Sequence, residues 1–272
     1  MHYESLGHLP RAPLVYSLAM IEYPPVPGIA EHAESIMERL RDEYPDINDF
    51  KVSSLRVDID AATGETKAHH TSSPQWRMNN PDGTFGLVFG SERLIVHTTA
   101  YPHFDGFAHK MRQIAAIVFS VAKIKYTKSI GIRQIDNFHP IDQLKLPNLV
   151  KPGYLCPDQN GSELKPLHSR VEFVYKSSLG KLFVRAYHLE GHPKVPQDLF
   201  PIADQLASDN LMTSLEGAFI LADTDHIYSP QKLEVFDLDN VISILDELHK
   251  QCSLGFRQMV TAEAIEAWRK EE

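Results

Sequence analysis

The stretch KYTKSIGIRQIDNF, residues 125–138, decides how the chain is built. In a strand, successive side chains point to opposite faces. Ile130, Ile132, Gln134 and Asp136 then share one face, and Gly131, Arg133 and Ile135 share the other. Both faces start apolar, which predicts a strand covered on both sides, in the middle of a sheet. A guanidinium there needs a partner, because an unpaired buried charge is too costly to keep. Arg133 has two readings. It is an arginine–carboxylate brace, with Asp105 and Glu172 as candidate partners, or its planar donor fork clamps an anionic ligand. Gly131 on the same face leaves room for a neighbour in either case.

Working back toward the N-terminus, HFDGFAHKMRQIAAIVFSVAKIK sets Phe104, Phe107, Met111, Ile114, Ala115, Val118 and Ala122 on one stripe of a helix. Ile117 and Phe119 widen the stripe, so this helix is central and buried. Residues 51–101 read as a β-meander, with the turn Asn80-Pro-Asp-Gly83 between runs rich in aromatic and branched residues. Before it, Ile29, Ala33, Ile36, Met37, Leu40 and Tyr44 recur at helical spacing until Pro45 stops them. The first strand, LVYSLAMI, ends at Pro24, Pro25 and Pro27, which offer no ladder donor.

Toward the C-terminus, residues 139–168 form a proline-rich connector. SRVEFVYKSSLGKLFVRAYHLE is a hairpin turning near Ser178–Gly180, followed by a proline-bearing, partly helical insertion and the strand SLEGAFILADTDHIY. A long amphipathic helix then carries Leu238, Val241, Ile242, Leu245, Leu248, Cys252 and Phe256. Thr261 supplies a hydroxyl cap for a terminal helix, with Glu263 in its first turn. The order of elements predicts an α+β fold: curved antiparallel sheet packed against long helices, as two diverged strand-plus-helix repeats or one continuous domain. The expected divisions are residues 1–140, a connector at 141–168, and residues 169–272.

The chain has 272 residues, 36 acidic against 27 basic, and a net charge of −9. That balance disfavours nucleic acid or an anionic membrane as a broad partner. Two distant cysteines, Cys156 and Cys252, make no disulfide framework and point to the cytoplasm. The N-terminus lacks the pattern of a secretory leader, and no apolar run is long enough to span a bilayer.

No Walker loop, dinucleotide fingerprint, nucleophile elbow or H-E-x-x-H pattern occurs. Fourteen histidines invite a metal reading. His97, His103 and His109 flank the start of the central helix, but His188 and His192 bracket Gly191 beside Pro193 and cannot share a helix face. Asp223, Asp225 and His226 form a compact group whose two carboxylates share a strand face, as a divalent cation would use. Acidic turn chemistry is the preferred account of the group. No bound metal or cofactor is expected. PDQNGSELK carries Asp158, Glu163 and Lys165 in a crowded imitation of a metal-dependent nuclease motif. Ligand-binding candidates are Arg133, Asp136, His103 and His109.

Several stretches in order resemble a sporadically distributed, largely uncharacterised family of bacterial and archaeal proteins of similar length. They are PLVYSLAMIEY, LRDEYP, WRM, LIVHTTAYPHFDGFAHKM, IGIRQIDNF and LDELHKQCSLGFRQMVT. Where the family shows Gly-Leu-Arg-Tyr-Ile-Asn, this chain has Gly131, Ile132, Arg133, Gln134, Ile135 and Asp136. Gly131, Arg133 and Ile135 match; Gln134 departs from Tyr and Asp136 from Asn. His249 and Phe256 match the family's C-terminal helix. The resemblance implies an accessory gene, such as a defence or toxin-neutralising function, and no established activity.

Two expectations follow. The first is a cytoplasmic interaction protein acting through a protein partner, by charge complementarity. The second is an enzyme, or a small-anion or nucleotide-binding protein, with its site in the sheet near Arg133.

Overall fold

The computed structural model describes residues 9–59, 66–155, 168–206 and 211–270. In chain order the elements are β1 (Leu14–Glu22), α1 (Ile29–Leu40), β2 (Asp46–Ile59), β3 (Thr66–Asn79), β4 (Phe85–Gly90), β5 (Arg93–Thr98) and α2 (His103–Val121). Next come β6 (Tyr126–Thr127), β7 (Ser129–Phe138), α3 (Leu146–Leu149), β8 (Ser169–Lys176), β9 (Gly180–Glu190) and α4 (Phe200–Ala203). The chain closes with β10 (Ala218–Tyr228), β11 (Glu234–Val235), α5 (Leu238–Met259) and α6 (Ala262–Arg269). Cys156 and the nuclease-like residues Asp158, Glu163 and Lys165 lie outside the described residues.

Among the described residues, nine strands form one open antiparallel sheet, in the order β2-β3-β4-β5-β1-β7-β10-β9-β8. The opening stretch of sequence is β7, buried along its whole length. It pairs with β1 on one side and β10 on the other. The β7–β10 pairing therefore joins strands from both halves of the chain in one ladder. A two-stranded ribbon of β6 and β11 stands apart.

The two longest helices, α2 and α5, lie together on one face. Their stripes, Phe107, Met111, Ile114 and Val118 from α2 and Val241, Leu245, Leu248 and Cys252 from α5, share a core with Ala19, Ile130, Ile132, Val184 and Ala222 of the sheet. Helix α1 docks beside α2 through Ile29, Ala33, Ile36 and Leu40, spaced at three to four residues. Cys252 is free and buried there. Burial pushes its thiol well above the ordinary range, so it serves as a small apolar residue.

The opposite face is covered by the insertion, not by a long helix. Val195, Leu199, Ala203, Leu206 and Leu211 pack on Tyr16, Leu18, Ile95, Ile135 and Leu221. Gln197–Leu199 is a single 3-10 turn leading into α4. The sheet is thus sandwiched, which is why β7 had to be apolar on both sides.

Local signals place the element ends. Asn80 accepts from Phe85 N–H at 2.9 Å through its side chain, while Gly83 takes the left-handed conformation at φ 66°. Asp237 caps α5 by accepting from the backbone N–H groups of Asp239 and Asn240. Thr261 caps α6 through Ala264 N–H at 3.1 Å. The connector is partly structured: α3 is followed by a 3-10 turn at Pro152–Tyr154, and Val150 bridges to Val260.

Candidate ligand cleft and the arginine network

Strand β7 serves both faces of the sheet with different chemistry. On the insertion side Arg133 is bound by two carboxylates. Its Nε donates to Asp223 Oδ1 and its Nη2 to Asp223 Oδ2, both at 2.8 Å. Nη1 donates to Asp198 Oδ2 at 2.6 Å and Nη2 to Asp198 Oδ1 at 3.2 Å. Asp223 has no exposed surface, and it also accepts from Arg185 Nη1 at 3.0 Å. Arg185 reaches on to Glu172, which Arg170 joins at 2.8 Å. Charges of alternating sign therefore run across β8, β9, β10 and β7 to the 3-10 turn.

Burial works against the charge on Arg133, but Asp223 and Asp198 outweigh it and hold the guanidinium above its usual range. Asp198 is also opposed by its partial burial, yet Arg133 keeps its carboxyl below the ordinary range. Asp225, on the same face, is pushed up to about 6 by burial despite the pull of Arg133. A cavity of about 630 Å³ beside this network is edged by Arg170, Arg185, Tyr187, His192 and Asp198.

The predicted partners of Arg133 need correction. Asp105 sits across the sheet from it, and Glu172 bonds Arg185 and Arg170. The carboxylates that reach it come from 65 and 90 positions away. Gly131 is not a required gap either, since an added Cβ would meet only ordinary contacts at 3.6 Å.

The proposed group of Asp223, Asp225 and His226 does not converge. Asp223 and Asp225 face the arginines, whereas His226 faces the helices, its Nδ1 3.3 Å from the Leu248 carbonyl oxygen and its Nε2 2.8 Å from Ser177 Oγ. Ser177 accepts from the Leu179 and Gly180 N–H groups. That serine–histidine contact ties the β8–β9 turn to α5, and neither residue lines the cleft described next. Among the described residues no group of three or more His, Cys, Asp or Glu side chains is arranged to hold a metal.

On the helix side, a cleft of about 590 Å³ opens between the start of α2, the second half of α5, the start of β1, the latter part of β7 and the middle of β10. Its walls are Tyr101, Phe104, His249 and Phe256, with the Phe104 and His249 rings stacked at 4.6 Å between centroids and 13° between planes. Its polar groups include Asp105, Gln134, Asp136, Asp246, Lys250 and Ser253. Lys250 donates to Asp246 at 2.6 Å, an i, i+4 pair on α5. His103 lines the mouth in the left-handed conformation, φ 59°, a strained choice for a residue other than glycine.

Asp136 is the unusual member. It lies opposite Leu14 on β1 and Ala222 on β10, neither of which offers a side-chain donor. It is 5% exposed, its carboxyl reaches the cleft, and no described residue bonds or ion-pairs with it. Burial pushes its carboxyl up to about 8, so it is mostly a neutral acid at pH 7. Burial likewise pushes His249 down to about 4, against the pull of Asp246, so its ring is neutral.

Of the four ligand-binding candidates, Asp136 and His103 meet in this cleft. Arg133 faces the other side of the sheet, and His109 is exposed on α2 and does not line the cleft. Sequence reasoning had placed Phe104 in the helix core and had not singled out Tyr101 or Asp246 as site residues. The one available signal was His249, which sits at the edge of the α5 apolar stripe beside Leu248. Comparison with protein-family models and with curated proteins finds no match to this chain.

Proposed function

We propose that the protein binds a small organic molecule in the cleft between α2, α5 and the sheet, with Asp136 as the group that recognises it. One observation carries this reading: a nearly buried carboxyl that has no partner among the described residues lines a cleft of about 590 Å³. Native proteins pair their buried polar groups, and an exception needs a cause. A ligand supplies the missing partner, and the volume falls in the range of small-molecule sites. A neutral Asp136 can also give a proton to a basic group bound against it. The Arg133 side supports anion binding less well, because Asp223 and Asp198 already fill the guanidinium fork and would repel a second anion.

A fragment screen of the full chain by ligand-observed NMR tests this reading, using neutral, cationic and anionic aromatic fragments with Ser253→Trp as a blocked cleft. Hits lost in Ser253→Trp are expected. Hits that persist unchanged in the blocked variant, or the absence of any hit, would overturn it.

A protein partner is the second reading, favoured by the apolar residues left exposed around the β6–β11 ribbon: Tyr126 at 46%, Leu233 at 52% and Val235 at 72%. The acidic balance of the chain suits a basic partner. The resemblance suits an accessory setting for either reading, and the two distant cysteines suit a cytoplasmic one. Co-purification from the native host with wild type and Val235→Asp, followed by mass spectrometry, tests it: a partner lost from the variant supports the ribbon.

A further inference from the structure

We infer that the ligand of the cleft is an organic cation, an ammonium or amidinium on a flat apolar body, held with its charge on Asp136. The inference rests on the small-molecule reading above and adds the chemistry of the ligand.

The charges around the cleft lead to it. Among the described lining residues, Asp105, Asp136 and Asp246 contribute carboxyl groups, and Lys250 is the one lysine or arginine. Lys250 is engaged with Asp246. His249 is neutral at pH 7 because its ring is buried. Among the described residues, Asp136 is thus left without a cation of the protein's own. An anion entering here would meet carboxylates; the arginines are on the far face of the sheet.

The walls point the same way. Tyr101, Phe104 and Phe256 present ring surface, and Phe104 is held by its stack on His249. Aromatic faces attract cations and cover flat apolar groups. A neutral donor would meet Asp136 as a weakly bonded acid. A cation ionises it and gains a charge-assisted hydrogen bond, roughly twice as strong. The cost of carrying a buried unpaired acid is then recovered when the ligand arrives, as expected of a group kept for binding rather than for folding.

Binding must therefore release the proton of Asp136 to solvent when the ligand enters already charged. The other titratable groups facing the site are Tyr101, His103, Asp105, Asp246, His249 and Lys250, so the released proton is assigned by substitution at Asp136.

The test is calorimetry on the full chain at pH 7 with four probes of similar shape: benzylammonium, benzamidinium, benzyl alcohol and benzoate. Titrations in PIPES and HEPES, whose ionisation enthalpies differ, count the protons released. The two cations should bind at least about tenfold more tightly than the alcohol and benzoate, with net proton release. Asp136→Asn should lose that preference and the release. Phe104→Ala should weaken all four probes while keeping the order, and Arg170→Ala, on the far face, should change nothing.

Equal binding of alcohol and cation, or an unchanged preference in Asp136→Asn, would overturn the cation assignment and leave the cleft reading standing. Failure of all four probes at millimolar concentration would also overturn it, and the fragment screen with Ser253→Trp then decides whether the cleft reading falls too.

Discussion

Arg133 and Asp223 meet edge to edge, Nε on Oδ1 and Nη2 on Oδ2, both at 2.8 Å, with Asp223 fully buried on the neighbouring strand. Removing one partner of such a pair strands the other charge, at a cost of about 3–5 kcal/mol. Arg185 still reaches Asp223, so Arg133→Met should fall near the lower end of that range in urea denaturation. Arg133→Lys should recover only part, because an ammonium cannot make the two-point contact. Unchanged stability in Arg133→Met would sink the brace.

Asp136→Asn should stabilise the protein, and increasingly so at higher pH. The folded carboxyl is raised from 3.8 to about 8. Between those values the unfolded chain has lost the proton and the folded one has kept it, so wild-type stability falls as pH rises, by about 1.4 kcal/mol per unit. Asparagine does not titrate. The advantage of the variant should be near zero at pH 4, grow with pH and level off above about 8. His249 contributes with the opposite sign, since its depressed value loses stability as pH falls below about 6.5. It is common to both proteins and cancels in the difference. An advantage that shrinks with pH would refute the assignment.

Gly180→Ala should cost more than Gly255→Ala. A Cβ at Gly180 would run into the Ile227 carbonyl of the paired strand, which is backbone and cannot yield. At Gly255 the nearest atom is a Val184 methyl at 2.7 Å, which can shift with α5. Overpacking of this kind costs about 1–3 kcal/mol, and thermal melts of the two variants should rank in that order.

Asp237→Ala should lower stability by about 1 kcal/mol, through loss of the cap on Asp239 and Asn240 N–H. Asp237→Asn should retain most of it. Equal melting temperatures for Asp237→Ala and wild type would show that the start of α5 is held by its packing alone.

Much of the architecture was readable because it is written in short periods. The two faces of β7 followed from alternation at 130–136, and both proved buried. The stripes on α1, α2 and α5 followed from three- and four-residue spacing, and the cap at Thr261 came from a hydroxyl that bonds within three residues. Asp136 and His103 were picked out before their cleft was known, and Arg133 was recognised as needing a carboxylate.

The chain alone determined which residues form strand and helix, and that Arg133 would be buried in need of a partner. Tertiary structure decided that Asp223 and Asp198 are those partners, that the insertion covers the second face, and that the face carrying Asp136 opens into a cleft beside Phe104 and His249. The reason is physical. Alternation and helical period are set by bonded neighbours, whereas strand order, the stacking of layers and the gap left between α2 and α5 depend on segments dozens of residues apart competing to bury the same apolar surface.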